Sequence, residues 1–323
     1  MTDEPIETAR PIPAQPLDFA APVPQNGYRW WYLDGVSDDL QHAVTIIGFV
    51  GSVFSPYYVA ARRRGAGDPA DHAALNVALY GAGGHRWAMT ERSAARCART
   101  PERYRIGPSA MEWEGGRLRV AIDEWCFPLP SPIRGDVLIE PAFTTATAYA
   151  LGAGGGHVWH PFAPVARIKL RLGRPALAFE GHGYFDINWG DEPIEAGFRR
   201  WDWSRAMLND GGTAALYDAE RRDGRRVELA LRFRPDGAIE ERPLPPAADL
   251  PPTAIWRIPR RTRSAGPAKA LPTLEDTPFY ARSLIEIEAE GQRAMAVHES
   301  LDLDRFMRRS TQWMLPFRMP RRR

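Results

Sequence analysis

The residues best suited to chemistry gather between Gly155 and Trp203. That stretch holds His157, Trp159, His160, His182, Tyr184, Asp186, Asn188, Trp189, Asp191, Glu192, Trp201, Asp202 and Trp203. It contains three of the seven histidines and four of the eleven tryptophans. On an extended strand Tyr184, Asp186 and Asn188 share one face, and Phe185, Ile187 and Trp189 share the other. One face is apolar; the opposite one carries a phenol, a carboxyl and an amide. Facing solvent, this is an ordinary amphipathic strand. Facing a cavity, it is an active-site wall, and the residues alone leave both readings open. A tryptophan-lined cavity with few fixed charges suits a large apolar ligand. It also suits cation chemistry, because an aromatic face stabilises a cation by ~0.5–1 kcal/mol when exposed and ~2 kcal/mol or more when desolvated. A carboxyl buried among such rings stays protonated at neutral pH and can donate its proton.

Other chemistries find no support. There is no Gly-x-Ser-x-Gly elbow, no His-Glu-x-x-His and no Walker loop. His157 and His160 are three apart, which on a strand sends them to opposite faces, so a shared metal is not expected. The cluster Gly152 to Gly156 follows no strand-to-helix junction and reads as a mobile turn rather than a nucleotide loop. Cys97 and Cys126 fit neither a metal spacing nor a disulfide framework, and a reducing compartment is the default. Lysine occurs only at Lys169 and Lys269, so arginine supplies nearly all of the 42 basic residues, yet 40 acids are interspersed with them. That balance argues against a nucleic-acid partner.

The elements that must position these residues are mostly strands. The chain of 323 residues, 44% hydrophobic, is long enough for one large domain or two smaller ones. No apolar run approaches the roughly 18–20 residues that span a bilayer. Strands are predicted over 42–54, 73–80, 86–92, 165–172, 213–221 and 225–234. Residues 111–113 and 117–125 read as a hairpin turning at Glu114-Gly115-Gly116. One helix is predicted, capped by Ser300 and running from Leu301 to about Met314. The fold class is therefore all-β, a sandwich or barrel. An internal echo suggests two related β-domains. Arg29-Trp30-Trp31-Tyr32 and Arg200-Trp201-Asp202-Trp203 each precede a polar turn and a second apolar strand. The expected organisation is a flexible proline-rich arm over 1–25, one domain over 26–195 and a second over 196–323 with a terminal helix and basic tail.

Several longer motifs resemble the acyclic carotenoid 1,2-hydratases, or hydroxyneurosporene synthases. They are 27–35 (GYRWWYLDG), 49–58 (FVGSVFSPYY), 87–92 (WAMTER), 198–205 (FRRWDWSR), 273–282 (TLEDTPFYAR) and 298–306 (HESLDLDRF). The resemblance runs from about residue 26 to the C-terminus. It implies two lipocalin-like β-domains and a cofactor-independent hydratase of photosynthetic bacteria. Such an enzyme adds water to the terminal double bond of acyclic carotenoids such as neurosporene and lycopene. The family's functional residues carry over onto His157, Trp159, Tyr184 and Asp186.

Protonating a trisubstituted alkene puts the charge on the tertiary carbon, and water attack then gives a tertiary alcohol. On this reading Asp186 is the acid, Tyr184 hydrogen-bonds it or positions the water, and Trp159 faces the cation. His157 either accepts the water's proton or orients Asp186. Trp30, Trp31, Trp189, Trp201 and Trp203 are candidate substrate-binding residues, with strand-core packing the competing role for Trp30 and Trp31. The tail from Arg305 mixes aromatics with arginines. It reads either as a membrane-docking element on the cytoplasmic face of the inner or photosynthetic membrane, or as a core-capping helix. The competing functions are a lipocalin-type binding protein for a large apolar ligand and an acid-type terpenoid cyclase or isomerase.

Overall fold

A computed structural model describes residues 6–81, 84–151 and 156–322. Most of the glycine cluster, 152–155, lies outside the described residues, as do Asp3 and Glu4 of the arm. The chain divides into two compact units. The larger comprises residues 11–149, 155–193 and 312–323, and the smaller comprises 1–10, 150–154 and 194–311.

The larger unit is built on one long, mainly antiparallel sheet. At its middle, the strand Tyr28–Ser37 lies between His42–Val50 and Leu177–Gly190, and Val158–Arg174 follows on the far side of Leu177–Gly190. The strands Arg86–Arg92 and Thr213–Arg221 occupy their predicted ranges, and 42–54 is a strand only as far as Val50. The predicted hairpin joins Ser109–Glu114 to Arg117–Cys126. Gly115 and Gly116 turn it with φ of +57° and +77°, the left-handed pair that a two-residue hairpin loop requires.

The segment predicted over 165–172 is the outer half of the much longer strand Val158–Arg174. Its first half, Val158 to Pro164, is buried at every position, so no polar alternation marks it. Pro161 and Pro164 cannot donate to a ladder, and the pairing with Leu177–Gly190 shifts register between His160 and Ala166.

Trp31, Leu33, Phe185 and Ile187 point into the core of this unit, together with Phe162, Ile168 and Val120. The alternate residues on the same strands form the opposite face, which is the face of Asp186.

The smaller unit carries a second antiparallel sheet, with Phe198–Met207 between Thr213–Arg221 and Gln292–Asp302. Both members of the internal echo are thus antiparallel pairs: Trp30 stands opposite Phe49, and Trp203 stands opposite Tyr217.

Two expectations are corrected. From Ile6 onward the N-terminal arm is not loose. Ile6–Thr8 pairs with Arg226–Glu228, and Arg10–Pro13 pairs with Thr147–Ala150. Phe19 is fully buried with its ring 5.0 Å from that of Trp31, and Arg99 donates to the carbonyls of Phe19 and Ala21. Proline-rich composition hides this, because edge pairing and one anchoring ring need no apolar periodicity.

Ser300 does not cap a helix. It lies in the strand Gln292–Asp302, and its hydroxyl donates to the Asp202 carboxyl. Asp302 caps instead, accepting from Arg305 N–H at 2.9 Å, and two short helices follow, Leu303–Phe306 and Arg309–Arg318. The tail returns to the larger unit: Arg321 and Arg322 pair with Glu91 and Arg92, and Arg321 binds Glu91 and Asp71. No helix among the described residues is long and apolar enough to cross a membrane.

Candidate active site

Neighbouring strands bring the polar side chains of the larger unit onto one face. In the ladder between Tyr28–Ser37 and Leu177–Gly190, Tyr184 stands opposite Asp34, Asp186 opposite Tyr32, and Asn188 opposite Trp30. Trp159, on Val158–Arg174, stands opposite Asn188 from the other side. All of these side chains are buried. The amphipathic strand therefore does not turn its polar face to solvent.

Asp186 is the centre of the cluster. Its Oδ2 accepts from Trp159 Nε1 at 2.9 Å and from the Tyr184 hydroxyl at 3.0 Å, while Oδ1 accepts from Asn188 Nδ2 at 2.8 Å. Three donors aimed at a buried carboxyl are placed to stabilise the negative charge it carries once a proton has left, each hydrogen bond to a charged group being worth ~1.5–3 kcal/mol. Burial, and next the charge of Asp186, push the Tyr184 phenol well above its ordinary range, so it remains a donor. The indole of Trp159 holds the acid through its N–H, and its ring lies 5.7 Å from that of Tyr149.

His157 sits in the bend before Val158 and is hydrogen-bonded through Nδ1 to the Tyr28 hydroxyl at 2.7 Å. Burial lowers it to about 3, opposed by a hydrogen bond with Asn188, so the imidazole is neutral through the physiological range. Its contacts on this face are with the Tyr28 phenol and the Asn188 amide. Gly190 makes room for that phenol: a Cβ there would meet the Tyr28 oxygen at 2.5 Å. His160 has a different partner, Thr145, and burial lowers it to about 4.

The tryptophans divide by strand face. Trp30 shares the face of Asp186 and stacks on Tyr28 at 5.2 Å, with its ring 5.6 Å from that of His157. Trp31 is buried in the apolar core against Phe19 and Tyr104. Trp189 packs against the same core, with the Arg29 guanidinium 4.9 Å above its ring. Strand alternation thus places Trp31 and Trp189 on the face opposite Asp186.

This buried carboxyl, gripped by an indole, a phenol and an amide, can be weighed against known proteins. A family model described as carotenoid hydratase CrtC matches residues 46–323. The chain belongs to the carotenoid hydratase family.

Among the family's curated relatives, the acyclic carotenoid 1,2-hydratase of Thiocapsa roseopersicina is 51% identical over 311 residues, which cover 96% of this chain and 76% of that protein. The protein of the same name from Cereibacter sphaeroides is 42% identical over 281 residues, 86% of this chain and 98% of its own. A crystal structure named for AttH, from Nitrosomonas europaea, superposes with a TM-score of 0.58 at 17% identity, covering 85% of this chain and 91% of that one. Identity that low speaks for the fold alone, which is lipocalin-like and mainly β.

In this carotenoid hydratase, Trp201 and Trp203 lie in the smaller unit on Phe198–Met207, where Trp201 packs against Phe198 and Tyr217. Asp202, on the same strand, is raised to about 7 by burial, and His298 is lowered to about 3 by the same cause. A cavity of about 240 Å³ in this unit is lined by Asp202, Asp218, Arg226 and Ser300. Its lining of charged groups is unsuited to a hydrocarbon chain.

The sequence reading missed Tyr28, Tyr32 and Asp34 as site residues. A signal for two of them was present: Tyr32-Leu33-Asp34 repeats the Tyr-apolar-Asp pattern of Tyr184-Phe185-Asp186.

Proposed function

We propose that the protein is an acyclic carotenoid 1,2-hydratase. It adds water across the terminal C1=C2 bond of an acyclic carotenoid such as lycopene or neurosporene. The observation that carries this reading is the Asp186 carboxyl, buried and held by Trp159, Tyr184 and Asn188. Membership of a family whose curated relatives bear that activity's name supports it.

The geometry supports the following course. Asp186 delivers its proton to C2, leaving a tertiary cation at C1. The three donors then hold the carboxylate that Asp186 has become, so they act on charge that develops as the proton leaves. Trp159 beside that carboxylate, and Trp30 on the same face, supply aromatic surface suited to shielding a cation. Water attacks C1, and loss of its second proton gives the tertiary alcohol. His157 and Tyr28 keep Asn188 oriented toward Asp186. Incubation with lycopene in H₂¹⁸O tests the reading. A binding protein yields no product, and a cyclase or isomerase yields one of unchanged mass.

The substrate dissolves in membranes, and one surface suits contact with the cytoplasmic face of an anionic bilayer. On Arg309–Arg318, Trp313 and Phe317 are 71% and 59% exposed, beside exposed Arg308, Arg309 and Arg318. Aromatic rings among arginines favour an anionic lipid interface. Replacing Trp313 and Phe317 together by serine is expected to cut co-flotation with phosphatidylglycerol vesicles at least fivefold, with hydration of detergent-dispersed substrate unchanged. Undiminished flotation would rule the docking surface out.

A further inference from the structure

Hydration needs a proton acceptor as well as a donor, and His157 is badly matched to that task. It is buried, its Nδ1 is engaged by Tyr28, and burial strongly disfavours its charged form. A second carboxyl lies on the same face. Asp34 is 1% exposed and accepts from the Tyr32 hydroxyl at 2.8 Å. Tyr184 bonds Asp186 in the same way, two residues earlier on its own strand.

The register sets the two Tyr-x-Asp units head to tail. Tyr184 is opposite Asp34, and Tyr32 is opposite Asp186. The two phenol rings meet edge to face at 6.2 Å. The result is a local two-fold arrangement in which the carboxyls occupy one diagonal and the phenols the other. Tyr184 feels the charge of both Asp186 and Asp34, so its hydroxyl lies within the field of the pair. Diagonal positions on adjacent antiparallel strands are ~7–8 Å apart. Carboxyls rising from two such positions on one face can both reach a reacting carbon and its water.

We propose that Asp34 is the second catalytic carboxyl, the base that accepts the proton of the attacking water. This rests on the hydratase reading above. The O–H bond of Asp186 breaks as the π pair of C1=C2 forms the new C2–H bond. The water oxygen then bonds to C1, and one of its protons passes to the Asp34 carboxylate. Turnover leaves Asp34 protonated and Asp186 ionised. The Tyr184 hydroxyl, which donates to Asp186 and faces Asp34 across the ladder, returns the proton and closes the cycle.

The test compares Asp34→Asn with Asp186→Asn, using the full chain and detergent-dispersed lycopene in D₂O. Loss of a general base lowers the rate about 10²- to 10⁴-fold. The expected Asp34→Asn result is a loss of that size in tertiary alcohol, while deuterium still enters recovered lycopene because protonation and its reversal persist. Asp186→Asn is expected to lose both. Hydration by Asp34→Asn within threefold of wild type would overturn the proposal, as would loss of exchange together with hydration in the folded variant.

If Asp34→Asn does not fold, Asp34→Ser decides. Added formate is expected to restore at least tenfold of its hydration rate, and no restoration overturns the proposal. Full hydration by Asp186→Asn would sink the hydratase mechanism itself and is distinguishable from either result at Asp34.

Discussion

Asp186→Asn is expected to lose hydration by about 10³-fold or more while folding normally. An amide has the shape of the carboxyl but no acidic proton, and a positioned general acid contributes about 10²- to 10⁴-fold. The effect falls toward the upper end because the acid acts on a carbon atom, where no solvent proton is pre-bound. The amide oxygen can still accept from Trp159 Nε1 and the Tyr184 hydroxyl. Its NH₂, however, would face the NH₂ of Asn188. One mismatched buried pair costs ~1–3 kcal/mol, a strain that a domain of ordinary stability tolerates. Turnover of lycopene beside a thermal melt checks both parts. A variant that makes the 1-hydroxy product near the wild-type rate removes Asp186 from the chemistry.

Trp31→Ala is expected to produce the largest loss of stability among the tryptophans that the sequence offered as binding residues. Its ring is fully buried between Phe19 and Tyr104, at 5.0 and 5.5 Å. Truncating a buried tryptophan to alanine costs about 3–5 kcal/mol through lost transfer energy and the cavity left behind. The adjacent Trp30 lies on the other face, so Trp30→Ala is expected to raise KM with a smaller change in stability. Urea denaturation and steady-state kinetics of the two variants give the comparison. Equal stability losses, or an unchanged urea midpoint for Trp31→Ala, would contradict the assignment of faces.

That contrast shows what the sequence could reveal. Alternation alone put Tyr184, Asp186 and Asn188 on one face and Phe185 and Ile187 on the other, and the ladder keeps them so. Whether the polar face was wet or dry depended on what covered it, and local pattern carries no such information. Residues 158–164 are buried throughout and read as no strand, because a two-sided interior removes the polar half of the alternation. The helix start was misplaced by two residues because Ser300 and Asp302 are both good caps. A distant partner, Asp202, settled the choice by engaging the serine hydroxyl. Asp34 was written in a recognised motif, yet its relation to Asp186 exists only through the register of strands about 150 residues apart. Phe19 was lost among prolines for a similar reason: the ring it packs on belongs to a later strand.

The central claim is that this buried carboxyl cluster hydrates a terminal alkene, and one measurement addresses it without reference to any variant. Lycopene or neurosporene is incubated with the purified protein in H₂¹⁸O, and the extracted product is analysed by mass spectrometry with fragmentation. The account predicts a product heavier by one labelled water, with the ¹⁸O on the tertiary terminal carbon. Recovery of substrate alone, or of a product of unchanged mass, would contradict it.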